Sequence, residues 1–358
     1  MNDREQLVGL SKFAGERFDL VQAGGGNSSV KTPDGFMLIK ASGVGLGEVE
    51  ADSGFVTVDQ QRLLRLFDDH TLHAAVDRRE RESIAARGVA DSVIGGGRPS
   101  IETLMHILFG ACTLHVHPLV ITAVVCRDDW DALIASRFPG GLRVPYRTPG
   151  IELALAVRDG MREFRERAGR LPDVAFLQNH GLIVSAGDSR AVCRLVDSVL
   201  GAFEDFLGVD HARFRDSNRL SELLCEIEGP RRVSYCSEHP ALRSVGADRK
   251  LYLFRNPFFP DMQVYCGAGA LELGNLDDTD PVRRYRDLHG ELPRVVVYRD
   301  RVYFTAANVR KAREIEEVYA SHVMALELAG PDHITSLPDE ELSFLSGWEA
   351  EKYRRTLR

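Results

Sequence analysis

Thr113-Leu-His115-Val-His117-Pro118-Leu-Val-Ile-Thr122 is apolar apart from its two imidazoles and the threonines at its ends. In an extended strand, residues two apart point to the same side, so both rings lean into one space. Two convergent neutral imidazoles are the beginning of a zinc site. A third candidate, His180, stands in Val174-Ala-Phe-Leu-Gln-Asn-His180-Gly-Leu-Ile-Val184, where two apolar strands flank a polar Asn-His-Gly turn. Three histidines leave one coordination position open, which is the pattern of a catalytic zinc rather than a structural one. Spacing alone also fits an ordinary strand end beside a proline, so the surrounding sequence has to decide.

Upstream, residues 4–16 carry Leu7, Val8, Leu10 and Phe13 at helical spacing. Ala23-Gly-Gly-Gly-Asn27-Ser-Ser-Val-Lys31 is a glycine-rich turn entering a strand, and Thr32-Pro-Asp-Gly35 turns the chain into a second strand from Phe36. Residues 59–98 are charged and read as an exposed helix and loop. Ser100 is a good N-cap, with Ile101, Leu104, Met105 and Leu108 forming an apolar stripe behind it. Downstream, 144–146 reads as a short strand, and 152–167 as a helix closed by Gly169. A further helix covers 190–207. The mixture of helices and hairpins is no regular βαβ series, and Gly24-x-Gly26-x-x-Ser29 opens a strand, so a classical Rossmann domain is not expected. Glu226-Ile-Glu-Gly-Pro230 marks the expected boundary between a domain over 1–228 and a mixed α/β extension over 229–358. The extension reads as strands at 251–254, 295–298 and 301–305 and helices at 308–328 and 339–355.

The balance of 44% hydrophobic and 27% charged residues over 358 positions is that of a globular protein. A net charge of −8 gives no basic field for nucleic acid or an anionic membrane. No apolar run reaches the ~20 residues of a membrane span. The start, Met1-Asn-Asp-Arg-Glu-Gln6, lacks a signal peptide's apolar segment, and a cytoplasmic location is expected. The six cysteines, Cys112, Cys126, Cys193, Cys225, Cys236 and Cys266, form no C-x-x-C pair and read as buried free thiols.

Three further features can converge on the histidines. Glu102, at the first turn of the helix after Pro99, could cap that helix or act as a general base or metal ligand. Asn27, Ser42, Gly43 and Ser100 offer amides, hydroxyls and a helix start that suit phosphate, although each alone also fits an ordinary loop. Lys40 ends an apolar strand as a phosphate counter-ion, a Schiff-base nucleophile or a snorkelling surface lysine.

Taken in order, Gly-Gly-Asn27-Ser-Ser-Val30, Ile39-Lys-Ala-Ser-Gly-Val44, Pro99-Ser-Ile-Glu-Thr103, His115-Val-His-Pro118 and Leu177-Gln-Asn-His-Gly-Leu182 resemble the class II aldolase/adducin family over roughly residues 5–207. The resemblance implies a three-layer αβα fold around a mostly antiparallel sheet and a homotetramer. It implies one Zn2+ per subunit on His115, His117 and His180, another divalent metal being the alternative. It makes Glu102 the acid/base and Asn27, Ser42, Gly43 and Ser100 the phosphate contacts. Val302-Tyr-Phe-Thr305, Arg310-Lys-Ala-Arg313 and Leu345-Ser-Gly-Trp-Glu-Ala-Glu-Lys352 are more loosely similar to the C-terminal part of long rhamnulose-1-phosphate aldolases. The dehydrogenase fused to those enzymes is not expected here. The implied activity is reversible retro-aldol cleavage of a ketose 1-phosphate, or a related sugar, to dihydroxyacetone phosphate and an aldehyde. Tyr319 is a candidate proton donor to the aldehyde. The alternatives are another zinc lyase or epimerase on the same scaffold (dehydratase, decarboxylase or 4-epimerase), a Lys40 Schiff-base aldolase, and a non-catalytic adducin-like module. Two departures weaken the phosphate assignment: Ile101 stands where short fuculose-phosphate aldolases have a second serine, and Ala41 replaces a proline.

Overall fold

Alternating side chains on short strands build the central sheet. On β5 (Cys112–Val116), Cys112, Leu114 and Val116 enter one apolar core, which leaves Thr113 and His115 for the opposite face. The computed structural model describes residues 1–229, 232–242 and 256–347. The chain divides into two compact units, Met1–His211 and Ala212–Arg358.

The first unit holds β1 (Asn27–Lys31), β2 (Phe36–Lys40), β3 (Phe55–Asp59), β4 (Val93–Gly96), β5, β6 (Leu142–Val144), β7 (Val174–Leu177) and β8 (Gly181–Ala186). They form one eight-stranded sheet in the order β4-β3-β2-β1-β5-β8-β7-β6. Every pairing in it is antiparallel except β6 with β7. Its helices are α1 (Asp3–Gly15), α2 (Gln60–Leu66), α3 (His70–Ala74), α4 (Arg78–Asp91), α5 (Thr103–His106), α6 (Leu119–Val125), α7 (Trp130–Arg137), α8 (Ile151–Ala168) and α9 (Ser189–Leu207). On one face Leu10 of α1, Ile121 of α6, Ile134 of α7 and Phe203 of α9 pack on Val30, Leu114 and Val184. On the other, Leu63 of α2, Val89 of α4, Met105 of α5 and Val157 of α8 pack on Ile39, Val58 and Ile183. The result is the expected three-layer αβα arrangement around a mostly antiparallel sheet. Local signals set the helix ends: Asn2 and Glu5 form a capping box on α1, Asp188 caps α9, and Gly169 ends α8 in the left-handed region.

Several boundaries move for physical reasons. The expected strand 144–146 lies instead at β6, which ends just before Pro145, a residue without an N–H for the ladder. The helix expected from Ser100 starts only at Thr103, and Ile101 is 59% exposed rather than part of an apolar stripe. Cys112, Cys236 and Cys266 are buried, but Cys126 and Cys225 are exposed, so the thiols are free without all being buried.

In the second unit, α10 (Ala212–Ile227) buries Phe214, Leu220 and Leu224, and Ser221 Oγ accepts the N–H of Ser234 at 2.9 Å. This helix lies within the second compact unit, which begins at Ala212. Here β9 (Val233–Cys236), β10 (Leu271–Leu273), β11 (Val295–Tyr298) and β12 (Arg301–Ala306) form a four-stranded sheet in the order β10-β11-β12-β9. The helix Val309–Ala329, capped by Asn308, packs Ile315, Tyr319 and Val323 against Val297 and Phe304. The final helix is described over Asp339–Gly347. The strand expected at 251–254, and Trp348 to Lys352 of the last motif, lie outside the described residues.

Candidate metal centre and acid–base site

The β5 register carries the first histidine. His115 faces Asn27 on β1 and Ile183 on β8 and is fully buried. Its Nδ1 lies 3.0 Å from the Leu182 carbonyl oxygen, an acceptor, so Nδ1 carries the proton and Nε2 presents its lone pair. His117 follows one step beyond the strand on the same side, with its N–H donated to Leu20 O at 3.0 Å. Two glycines make room for its ring. A Cβ on Gly25 would lie 3.3 Å from His117 Nδ1, and one on Gly181 would lie 2.5 Å from Val116 O and 2.8 Å from His117 Cδ2. His180 arrives from the β7–β8 turn, where Asn179 takes the left-handed conformation at φ 52.

These side chains converge. His115 Nε2 and His117 Nε2 are 3.1 Å apart, and one ligand atom from each of the three histidines lies within 4.8 Å of the others. Two nitrogens of a tetrahedral zinc with bonds of about 2.0–2.1 Å would stand about 3.3 Å apart. The donor set therefore fits a zinc ion: three imidazoles, one with its tautomer fixed by a carbonyl. Glu102 completes the cluster. Its Oε1 is 3.4 Å from His115 Nε2 and 3.2 Å from His180 Nε2, while Oε2 accepts from Asn27 Nδ2 at 2.6 Å. Ser100 Oγ accepts from the same amide at 3.1 Å and from the N–H of Glu102 at 3.2 Å. Asn27 Oδ1 is buried with no partner, leaving an acceptor open.

Electrostatics follow the geometry. Burial opposes ionisation of Glu102, but His115 and His180 outweigh it and hold the carboxyl well below its usual range. Burial likewise opposes a charge on His115, and the adjacent Glu102 more than compensates, raising its pKa. His117 is pushed down to about 4 by burial and by its two histidine neighbours, so it is neutral at pH 7.

Of the remaining expected residues, Lys40 is buried, and its Nζ donates to Val44 O at 2.7 Å and more distantly to Ala41 O. Burial lowers its pKa, against the pull of Glu102 and Glu48. Lys40 thus braces the loop that carries Ser42 and Gly43, and the snorkelling reading is overturned by its burial. That loop runs beside the Ser100 segment, through an Ala41–Pro99 bridge and a Ser42 N–H to Arg98 O bond of 2.8 Å. Gly43 is exposed at φ +83, a conformation that favours glycine. Tyr319 is fully buried in the second unit's core, edge-on to Phe304 at 5.7 Å, where no substrate reaches its hydroxyl.

Residue reasoning missed His106 and Ser29. His106 is fully buried, its Nδ1 2.8 Å from Ser29 Oγ and its Nε2 without a partner. Burial, reinforced by His115, pushes it down to about 3. Its place four residues after Glu102, one helical turn on, was the available signal.

The profile of the Class II Aldolase and Adducin N-terminal domain matches residues 5–204. The chain is similar to the N-terminal class II aldolase domain of a conserved protein from Thermoplasma acidophilum, at 24% identity over 57% of this chain and 94% of that one, with a TM-score of 0.49. It is similar to l-fuculose-1-phosphate aldolase from Thermus thermophilus, at 18% identity over 57% and 95% of the two chains and a TM-score of 0.36. It is also similar to a sugar-phosphate aldolase from Thermotoga maritima, at 18% identity over 63% and 98% and a TM-score of 0.39. No curated protein is significantly similar to it.

Proposed function

From a chain that belongs to the Class II aldolase and adducin family, we infer a zinc-dependent aldolase that cleaves a ketose 1-phosphate reversibly to dihydroxyacetone phosphate and an aldehyde. The observation that carries the reading is the position of Glu102: one carboxylate oxygen lies against His115 and His180, and the other is fixed by Asn27. A carboxylate needed only to cap α5 has no use for that convergence. His115, His117 and His180 would hold the zinc. The chemistry such an ion supplies is Lewis-acid stabilisation of negative charge developing on substrate oxygens, a contribution of several kcal/mol.

The protein's own residues do the rest. Glu102 is ionised at neutral pH and takes or returns the proton at the carbon that becomes nucleophilic in the addition direction. Asn27, expected as a phosphate contact, holds that carboxylate in place. Ser42, Gly43 and Ser100 bind the phosphate at one end of β1 and β2, with the Lys40 charge beneath the loop. The family reading extends to a homotetramer acting on a sugar phosphate in the cytoplasm. Among the described residues, no helix is long and apolar enough to cross a membrane.

Product analysis on a panel of ketose 1-phosphates tests the reaction type. Dihydroxyacetone phosphate and a free aldehyde are expected. A dehydrated, decarboxylated or epimerised product would replace the aldolase reading with another reaction at the same centre.

A further inference from the structure

The backbone of His117 hangs on a turn held by an ion triad around a buried guanidinium. Arg17, just past the end of α1, is fully buried. Its guanidinium donates to both oxygens of Asp19, Nε to Oδ1 at 3.0 Å and Nη2 to Oδ2 at 2.7 Å, and through Nη1 to Asp197 Oδ1 of α9 at 2.6 Å. It also lies 5.1 Å above the Phe13 ring. A guanidinium without water needs such partners, and the bidentate pair fixes geometry as well as charge. The turn closes on itself, with Leu20 and Val21 both donating their N–H to Arg17 O, at 3.1 and 3.2 Å. It then presents two carbonyls outward. Leu20 O accepts the His117 N–H at 3.0 Å, and Asp19 O accepts the Leu119 N–H at 2.9 Å. Pro118, between them, has no N–H to give. His117 lies beyond the last residue of β5, so it lacks the strand pairing on both sides that holds His115.

We propose that Arg17, through Asp19 and Asp197, is a positioning residue for the metal ligand His117: it sets the shape of the 17–21 turn, and the turn places the imidazole. The inference rests on the zinc-site reading above. It extends the site's supporting shell to a residue that touches neither ligand nor substrate. Loss of such support in metal sites weakens metal binding about ten- to a hundredfold.

The test uses the full chain and reads zinc affinity by competition with a chromophoric chelator, together with the visible spectrum of the cobalt-saturated protein. Arg17→Met is expected to weaken zinc binding about ten- to a hundredfold and to change the cobalt spectrum. Asp197→Asn, at a partly exposed position, should do the same to a smaller degree, and Arg17→Lys should recover part of the loss. Met161→Ala, in the core on the face of the sheet opposite Arg17, on α8, which packs on the edge strand β6, should lower thermal stability and leave zinc affinity and the cobalt spectrum alone. Wild-type affinity and spectrum in both Arg17→Met and Asp197→Asn would overturn the proposal, as would an equal loss of affinity in Met161→Ala. If Arg17→Met does not fold, Asp197→Asn decides alone, an unchanged affinity overturning the proposal. A wild-type chain that binds no zinc, or binding that survives His117→Ala, would instead overturn the zinc-site reading and this inference with it.

Discussion

Replacing Glu102 by glutamine removes a charge and a base while keeping the side chain's size. Asn27 Nδ2 donates to Glu102 Oε2 at 2.6 Å, so a glutamine at this position would keep its carbonyl toward Asn27 and turn its NH2 toward the imidazoles. Position is retained and basicity is lost. General acid–base catalysis contributes about 10²–10⁴-fold, so turnover should fall by that factor, an increase of about 3–5 kcal/mol in the barrier. Zinc should stay. The three imidazoles that would hold the ion are unchanged, so the variant should still purify with zinc, although the lost carboxylate beside His115 and His180 removes an attraction to the cation and weakens the affinity. The assay pairs coupled detection of dihydroxyacetone phosphate with zinc analysis of the same sample. Wild-type turnover in the variant would remove Glu102 from proton transfer. Loss of zinc together with turnover would make it a ligand and refute the division of roles drawn here.

Gly181→Ala should displace His117, because the new Cβ would lie 2.5 Å from a backbone carbonyl that cannot yield. Overpacking of this kind costs about 1–3 kcal/mol, and a variant with wild-type melting and zinc affinity would contradict the packing account. His106 predicts a pH effect in the metal-free protein. Its folded pKa, about 3, lies below the unfolded 6.5, so its contribution to stability is complete above 6.5 and is lost as pH falls toward 3. At 1.36 kcal/mol per pH unit, the loss reaches about 2 kcal/mol by pH 5. Urea unfolding at pH 7 and pH 5 should show a smaller decline in His106→Gln than in the wild type, and equal declines would refute the assignment.

Much of the site was legible because period-two alternation carries it directly. His115 and His117 share a side with Asn27 and Ser29, and one register places them all on the face opposite Leu114 and Val116. The stop of α8 at Gly169 was legible from the residue itself, since glycine takes the left-handed conformation a helix end needs. What stayed hidden depends on tertiary contact. The apolar spacing around Ile101 predicts a helix, yet the hydrogen bonds of Ser100 to Asn27 and Glu102 hold the chain in a turn. That turn leaves Ile101 exposed and aims Glu102 at the histidines. The strand β4 is mostly glycine and isoleucine at an exposed edge and lacks any alternation. Arg17 reads as one of several charged residues after a helix, because its bond to Asp197 of α9, far along the chain, leaves no mark on the local sequence. Gly181 reads only as part of a turn until the His117 ring is seen against it.

The most direct measurement is the zinc content of the purified chain, paired with ketose 1-phosphate cleavage before chelation, after it, and after zinc is restored. The account predicts about one zinc per chain, cleavage abolished by chelation and recovered with zinc. A chain without metal, or cleavage that survives chelation and is trapped by borohydride on Lys40, would contradict it.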